Sequence, residues 1–215
     1  MNYFVIDFEY NQPYDFKKNG PSNPNKAMPF EIVQIGIIKL NEQLEVKGRR
    51  NYYVKPQLYK RIHPYVARIT GFNNKTFENG KSFEIVYRSF IRFLGREKAV
   101  FCTWGGADVR ELYRNTLFYS LKDKPLPKRF IDVQKLVSRH LNNGKNCIGL
   151  EKAVEAMSIA KSLPFHNAFN DALYTSELFR QIKPIIKPDK KGRIRIMQRF
   201  NVQKLKQQLR KINYE

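Results

Sequence analysis

The chain has little cysteine and little acid. Its two cysteines, Cys102 and Cys147, stand far apart with no Cys-x-x-Cys spacing, which excludes a disulfide framework and fits a reducing compartment. Neither they nor the three histidines cluster, so the zinc classes built on Cys and His are excluded as well. The N-terminus lacks a basic segment followed by an apolar core and a cleavage site. No apolar run approaches the roughly 20 residues of a bilayer-spanning helix. A cytoplasmic protein without membrane insertion is expected. Internal repeats and low-complexity tracts are also absent. Asp plus Glu number 19 against 40 Lys plus Arg, a formal net charge of +21 over 215 residues. A surface that basic attracts polyanions, and nucleic acid is the expected partner. The 42% hydrophobic and 13% aromatic content is enough for one sizeable core, so disorder of the whole is excluded.

The elements alternate along the chain. Tyr3 to Glu9 reads as a strand, being β-branched, apolar and aromatic. A polar stretch with four prolines, Tyr10 to Pro29, reads as a long loop. The apolar run EIVQIGIIKL from Glu31 and the run RRNYYVKP from Arg49 predict a hairpin of two more strands. Ser82 is expected to cap a helix whose stripe is Phe83, Val86, Phe90, Phe93 and Leu94, ending at Gly95. AVFCTW from Ala99 reads as a buried strand, turned by Gly105 and Gly106 into a helix that opens near Asp108. Further helices are expected from Asp132 to His140, with Asp132 as cap, from Leu150 to Met157 and from Asn167 to Ile182. This alternation indicates an α/β class, a sheet covered by helices. Cys102, inside the apolar run, should be buried and inert.

Four of the scarce acids stand out against this frame. Asp7 and Glu9 are two apart on a strand and therefore project side by side, forming a chelating pair. Asp108 opens a helix after a strand, and Asp171 follows His166 by five residues. Five positions on one continuous helix would set two side chains about 140° apart, poor for joint action. Pro164 therefore places His166 in the approach loop or at the helix start, with Asp171 in the first turns of the helix. A carboxylate cluster suits hard divalent cations, which take oxygen ligands and keep positions for water and phosphate. A mobile histidine beside it suits a general base. Each piece alone has an ordinary reading: a strand-end acid, a helix-dipole acid, a loop histidine. Trp104 and Tyr10 adjoin the motifs, but an aromatic at a strand end is more often core than a stacking platform. Glu31 is read either as an exposed strand end or as a contact to substrate or a nearby basic group.

The order Asp-x-Glu, then Asp, then His-x4-Asp resembles the DEDDh branch of the DnaQ-like 3′-to-5′ exonucleases. The resemblance covers roughly Asn2 to Ile182 and includes PFEIVQIGIIKL, the central ITGFNNKTFENGKSFEIVYRSFIRFLG, RFIDVQKL, IGLEKAVEAM and HNAFNDALYTSELF. DFEY, TWGGADVREL and the compact length are most similar to the KapD-like and ERI-type exoribonuclease branch. The resemblance implies a ribonuclease H-like mixed β-sheet flanked by α-helices. It implies two divalent ions, Mg²⁺ or Mn²⁺, with Asp7 bridging both, Glu9 and Asp171 completing one and Asp108 acting on the second through water. His166 would deprotonate the attacking water, and the products would be nucleoside 5′-monophosphates, with RNA favoured over DNA. Asn11 stands where the pattern has Thr or Ser, and the long loop and basic tail lie outside the common pattern.

The chain after Ile182 changes character. From Lys187 to Glu215 there are ten Lys or Arg and two acids, and Val202, Leu205, Leu209 and Ile212 recur at helical spacing behind Asn201. We expect residues 1–183 to form the exonuclease domain and residues 184–215 a basic extension with an amphipathic helix. That helix would dock its apolar stripe and present its basic face to nucleic acid, a membrane surface or a protein partner. KKGRIRIMQRF, before it, reads as a short strand. Two alternatives stand beside an exoribonuclease: a DNA-directed proofreading or repair exonuclease, and a nucleic-acid-binding module whose site no longer turns over.

Overall fold

The computed structural model describes residues 1–123, 126–186 and 196–212. In chain order, β1 covers Asn2–Asn11, a small hairpin follows as β2 (Tyr14–Asp15) and β3 (Gly20–Pro21), and β4 (Glu31–Leu40) and β5 (Val46–Tyr53) come next. Then come α1 (Pro64–Thr70), α2 (Phe83–Leu94), β6 (Ala99–Thr103), α3 (Ala107–Phe118), β7 (Arg129–Asp132), α4 (Val133–Asn142) and α5 (Leu150–Ala156). The chain finishes with α6 (Ala168–Ile182), β8 (Met197–Arg199) and α7 (Val202–Ile212).

The main sheet has six strands in the order β5-β4-β1-β6-β7-β8. Strands β1, β6 and β7 are mutually parallel, whereas β4, β5 and β8 run antiparallel to their neighbours. It is a mixed sheet flanked by helices, the ribonuclease H-like arrangement. Alternation along β1 serves both faces: Phe4, Ile6 and Phe8 enter a core with α2, α3 and α7, and Tyr3 and Val5 enter a second core with α4, α5 and α6. A strand covered on both faces has apolar residues pointing both ways, which is why β1 and β4 read as largely apolar runs without strict alternation. A third, smaller cluster of Val33, Ile62, Val66, Phe72 and Phe77 lies under α1.

Several expectations need correction. The segment from 61 to 79 contains α1 and a 3₁₀ turn at Asn74–Phe77 that the sequence pattern does not reveal. Strand β5 begins three residues earlier than the apolar run suggests, because pairing of Val46 with Leu40 sets its register. Ser82 stands before α2 but its hydroxyl makes no capping bond. Asp132 does cap α4, accepting from the Lys135 N–H at 3.0 Å. The Tyr10–Pro29 stretch is not all loop, since β2 pairs with β3. Of the strand read in KKGRIRIMQRF, Met197–Arg199 pairs with β7, and its first residues lie outside the described ones. Cys102 is fully buried, and burial pushes its thiol well above the usual range.

Candidate active site

Asp7 and Glu9 sit on the face of β1 that carries Tyr3 and Val5, toward α6. Asp171, in the first turn of α6, meets them there. One carboxylate oxygen from each of Asp7, Glu9 and Asp171 lies within 4.8 Å of the others. Asp108, in the first turn of α3, is near enough for its charge to raise both Asp7 and Glu9. Its Oδ1 accepts a 2.7 Å hydrogen bond from the Tyr10 hydroxyl. His166 lies in the loop before α6, with a left-handed φ of 59°. Its backbone N–H donates to Asp171 Oδ2 at 3.2 Å, while the residue itself is exposed. The offset of His166 from the Asp171 helix is thus present: the carboxylates converge, and His166 is exposed in the loop beside them, joined to Asp171 through its backbone.

Burial is the leading electrostatic influence on all four acids. It holds Asp7 well above the usual carboxylate range, with Asp108, Asp171 and Glu9 adding repulsion in that order. Glu9 is pushed up to about 8 by burial and then by Asp171 and Asp108. Asp171 is pushed up to about 7 by burial, opposed by the His166 N–H, and Asp108 to about 7 by burial, opposed by the Tyr10 hydroxyl. Buried like charges at this density are costly unless a cation compensates them. Asp171 Oδ1 is buried and has no hydrogen-bond partner among the described residues. An unpaired buried carboxylate oxygen facing two other carboxylates fits a hard, oxygen-seeking divalent cation.

The neighbouring strand positions the helix that carries Asp171. Gln34, opposite Glu9 on β4, accepts from the Ala168 N–H at 2.9 Å and donates to Asn167 Oδ1 at 3.2 Å and Asn51 Oδ1 at 3.0 Å. Asn167 in turn caps α6 by accepting from the Phe169 and Asn170 N–H groups. Asn170 Nδ2 donates to the Pro164 carbonyl at 2.9 Å, fixing the loop that holds His166. Sequence reasoning missed Gln34 and the roles of Asn11 and Tyr10. A signal existed for the first: Gln34 and Gly36 interrupt the apolar stretch from Ile32 to Ile38. Asn11 is buried, donating to the Tyr59 and Arg61 carbonyls at 2.7 and 3.0 Å and accepting from the His63 N–H at 2.9 Å. Glu31 is neither exposed nor free for substrate. At 2% exposure it accepts from the N–H groups of Gln57, Leu58 and Tyr59 and from the Tyr119 hydroxyl.

Residues 4–179 match the exonuclease family of the ribonuclease T type. The chain belongs to this exonuclease family. No curated protein matches the exonuclease in sequence. Among solved structures, its fold is similar to the nuclease domain of 3′hExo, a DEDDh family member bound to rAMP. There the TM-score is 0.73, the identity 19%, and the match covers 93% of this chain and 97% of that one. It is also similar to a 3′-exonuclease recognising the 3′ end of a histone mRNA stem-loop, with TM-score 0.70, 16% identity and 85% and 81% of the two chains covered. A third likeness is to the zinc-bound complex of E. coli exonuclease I with single-stranded DNA, with TM-score 0.64, 16% identity and 86% and 41% covered. No helix among the described residues of the exonuclease is long and apolar enough to cross a membrane.

Proposed function

We propose that this exonuclease removes nucleotides from the 3′ end of single-stranded or overhanging nucleic acid with two divalent ions, Mg²⁺ or Mn²⁺, releasing nucleoside 5′-monophosphates, RNA in preference to DNA. The observation that carries this reading is the buried carboxylate cluster with its unpartnered Asp171 oxygen. Asp7, Glu9 and Asp171 would hold one ion, and Asp7 with Asp108 the second. When bound, the ions would supply an acidified water and positive charge at the leaving 3′ oxygen. His166 takes the proton of the attacking water, a role supported by its exposed position next to the cluster, with its backbone tied to Asp171. The water oxygen bonds to phosphorus as the bond to the 3′ oxygen of the preceding nucleotide breaks. Tyr10 holds Asp108 in place, and Gln34 and Asn167 hold the helix of Asp171. In this reading residues 1–183 are the catalytic unit and residues 184–215 a basic extension of it.

The RNA preference draws support from the fold's likeness to proteins solved with rAMP and a histone mRNA stem-loop. A DNA-directed exonuclease is the second reading, favoured by the likeness to the single-stranded DNA complex. Matched 5′-labelled RNA and DNA oligonucleotides, incubated with Mg²⁺, Mn²⁺ or EDTA, test both. The expected result is a ladder shrinking from the 3′ end, faster on RNA and absent in EDTA. Faster loss of DNA would reverse the preference, and cleavage of a circular strand would replace the exonuclease reading with an endonuclease one.

A further inference from the structure

The stretch between β1 and β4 builds a surface that the carboxylate site does not use. On it, Tyr14 meets Phe16 edge to face at 5.0 Å and His63 at 4.9 Å, and the Arg61 guanidinium lies 3.7 Å over the Phe16 ring. Tyr14, Phe16 and His63 are half-buried, and Lys17, Lys18 and Arg61 are exposed. The Asp15 carboxylate is turned inward to the Lys17 and Lys18 N–H groups, at 3.0 and 3.1 Å, so it shapes the turn. Residues 12–30 contain three lysines and residues 55–63 contain Lys55, Lys60 and Arg61, against Asp15 alone. Among the described residues, no carboxylate forms an ion pair with Lys17, Lys18 or Arg61.

Asn11 joins this surface to the active site. It lies two residues beyond Glu9 on β1, about 7 Å along an extended strand, and its side chain holds the backbone of Tyr59, Arg61 and His63. We propose that the β2-β3 hairpin together with residues 59–63 is a track for the single strand that feeds the site. Bases stack on Tyr14 and Phe16, and phosphates meet Lys17, Lys18 and Arg61. Half-exposed rings interleaved with unpaired cations are what a sequence-tolerant single-strand site requires. Arg61 serves twice, covering one face of Phe16 while its guanidinium edge donates to phosphate. His63 accepts from the Tyr65 N–H at Nδ1, and burial lowers its pKa, so it joins the cluster as a neutral ring.

This inference rests on the exonuclease reading for its strand polarity, so binding and turnover are measured separately. Affinity is read by fluorescence anisotropy in EDTA with 5′-labelled oligonucleotides of three and twelve nucleotides, across a range of salt. The Lys17→Glu/Lys18→Glu protein should bind the twelve-nucleotide strand at least tenfold more weakly. Its slope of log affinity against log salt should be shallower by about 1.4, two phosphates at roughly 0.7 each. Phe16→Ala should weaken the same strand about tenfold with little change in slope, the loss of one stacked base. Lys145→Glu/Lys152→Glu, at two exposed lysines with Lys152 on α5, changes net charge by the same amount and should bind as the wild type does. Folded Lys17→Glu/Lys18→Glu protein with wild-type affinity and slope overturns the proposal, whether or not Phe16→Ala folds. An equal loss for Lys145→Glu/Lys152→Glu also overturns it, since bulk charge would then suffice. Wild-type protein that binds but never hydrolyses either strand with added metal leaves the track standing and removes the proposed reaction.

Discussion

Gly36 and Ala168 touch without room for a methyl group: a Cβ on Gly36 would lie 2.0 Å from the Ala168 carbonyl oxygen and 2.5 Å from the Phe169 nitrogen. Gly36 is the residue opposite Asp7 in the sheet, so the start of α6 rests directly against the strand pair that carries the acids. Asp171 reaches Asp7 and Glu9 because that approach is so close. Gly36→Ala should therefore push α6 outward, costing about 1–3 kcal/mol or more as an overpacked site. Hydrolysis should fall further than stability explains, as Asp171 leaves the cluster. Urea unfolding and turnover, measured on the same preparation, check this; wild-type turnover in the variant would mean that α6 accommodates the methyl without moving Asp171.

Asp7→Asn should abolish hydrolysis and leave the fold intact. It should also raise the melting temperature of the metal-free protein at pH 8, because a buried carboxylate repelled by Asp108, Asp171 and Glu9 is replaced by a neutral amide. Melting curves in EDTA and a labelled-strand assay separate the two effects. Turnover near that of the wild type would remove Asp7 from the metal assignment.

Stability of the metal-free protein should fall as pH rises. Glu9 is raised from 4.5 to about 8, and Asp108 and Asp171 from 3.8 to about 7. A carboxyl with a raised folded-state pKa gives up protons first in the unfolded chain, so its contribution is complete below pH ~4 and is lost progressively up to pH 7–8. Added Mn²⁺ or Mg²⁺ should restore stability, and by more at pH 8 than at pH 5. A metal-induced rise in melting temperature that is the same at both values would break the link between the cluster and the cation.

The chemistry of the site was legible where it depends on local geometry. The two-residue period of a strand places Asp7 beside Glu9, and Pro164 together with helical pitch separates His166 from the helix of Asp171. What could not be read depends on contacts between distant segments. Glu31 serves as acceptor for backbone 26 to 28 residues away, a role with no local pattern. Strand β7 is four residues long, too short for a period to register, and α1 buries Val66 alone, so no apolar stripe marks it. Strand β5 lies at the sheet edge with mostly exposed side chains, so pairing with β4 fixes its ends and hydrophobicity does not.

His166→Ala should lower the rate by about 10² to 10⁴ with little loss of metal binding. The backbone N–H that holds Asp171 survives the substitution, but the left-handed φ of 59° disfavours alanine. His166→Asn, which tolerates that conformation, keeps the test clean. Both variants should flatten the acid limb of the pH–rate profile while metal titrations stay near wild type. An unchanged profile in the asparagine variant would refute the base assignment.

The C-terminal helix combines packing and charge on separate faces. Val202 and Leu205 are buried in the same core as Phe4 and Tyr113, Leu209 packs against it, and Phe200 stacks on Tyr113 at 5.0 Å. Asn201 caps the helix by accepting from the Lys204 N–H at 3.0 Å. Strand β8 adds an edge to the sheet just before it. Removing the chain after Pro184 would therefore uncover core, and truncation cannot isolate the role of the charge. Leu205→Ala should destabilise by about 2–5 kcal/mol, as for a buried leucine, with the salt dependence of binding unchanged. Lys204, Arg210 and Lys211 are exposed on the other side, and replacing all three by Gln should leave melting nearly unchanged. If that face contacts phosphates, the triple variant should bind long strands more weakly, with a salt slope shallower by about 2, three contacts at roughly 0.7 each. Turnover of a very short oligonucleotide, which does not reach α7, should be unaffected. A triple variant with the wild-type slope would make the helix a structural brace alone, its positive charge serving no contact with the strand.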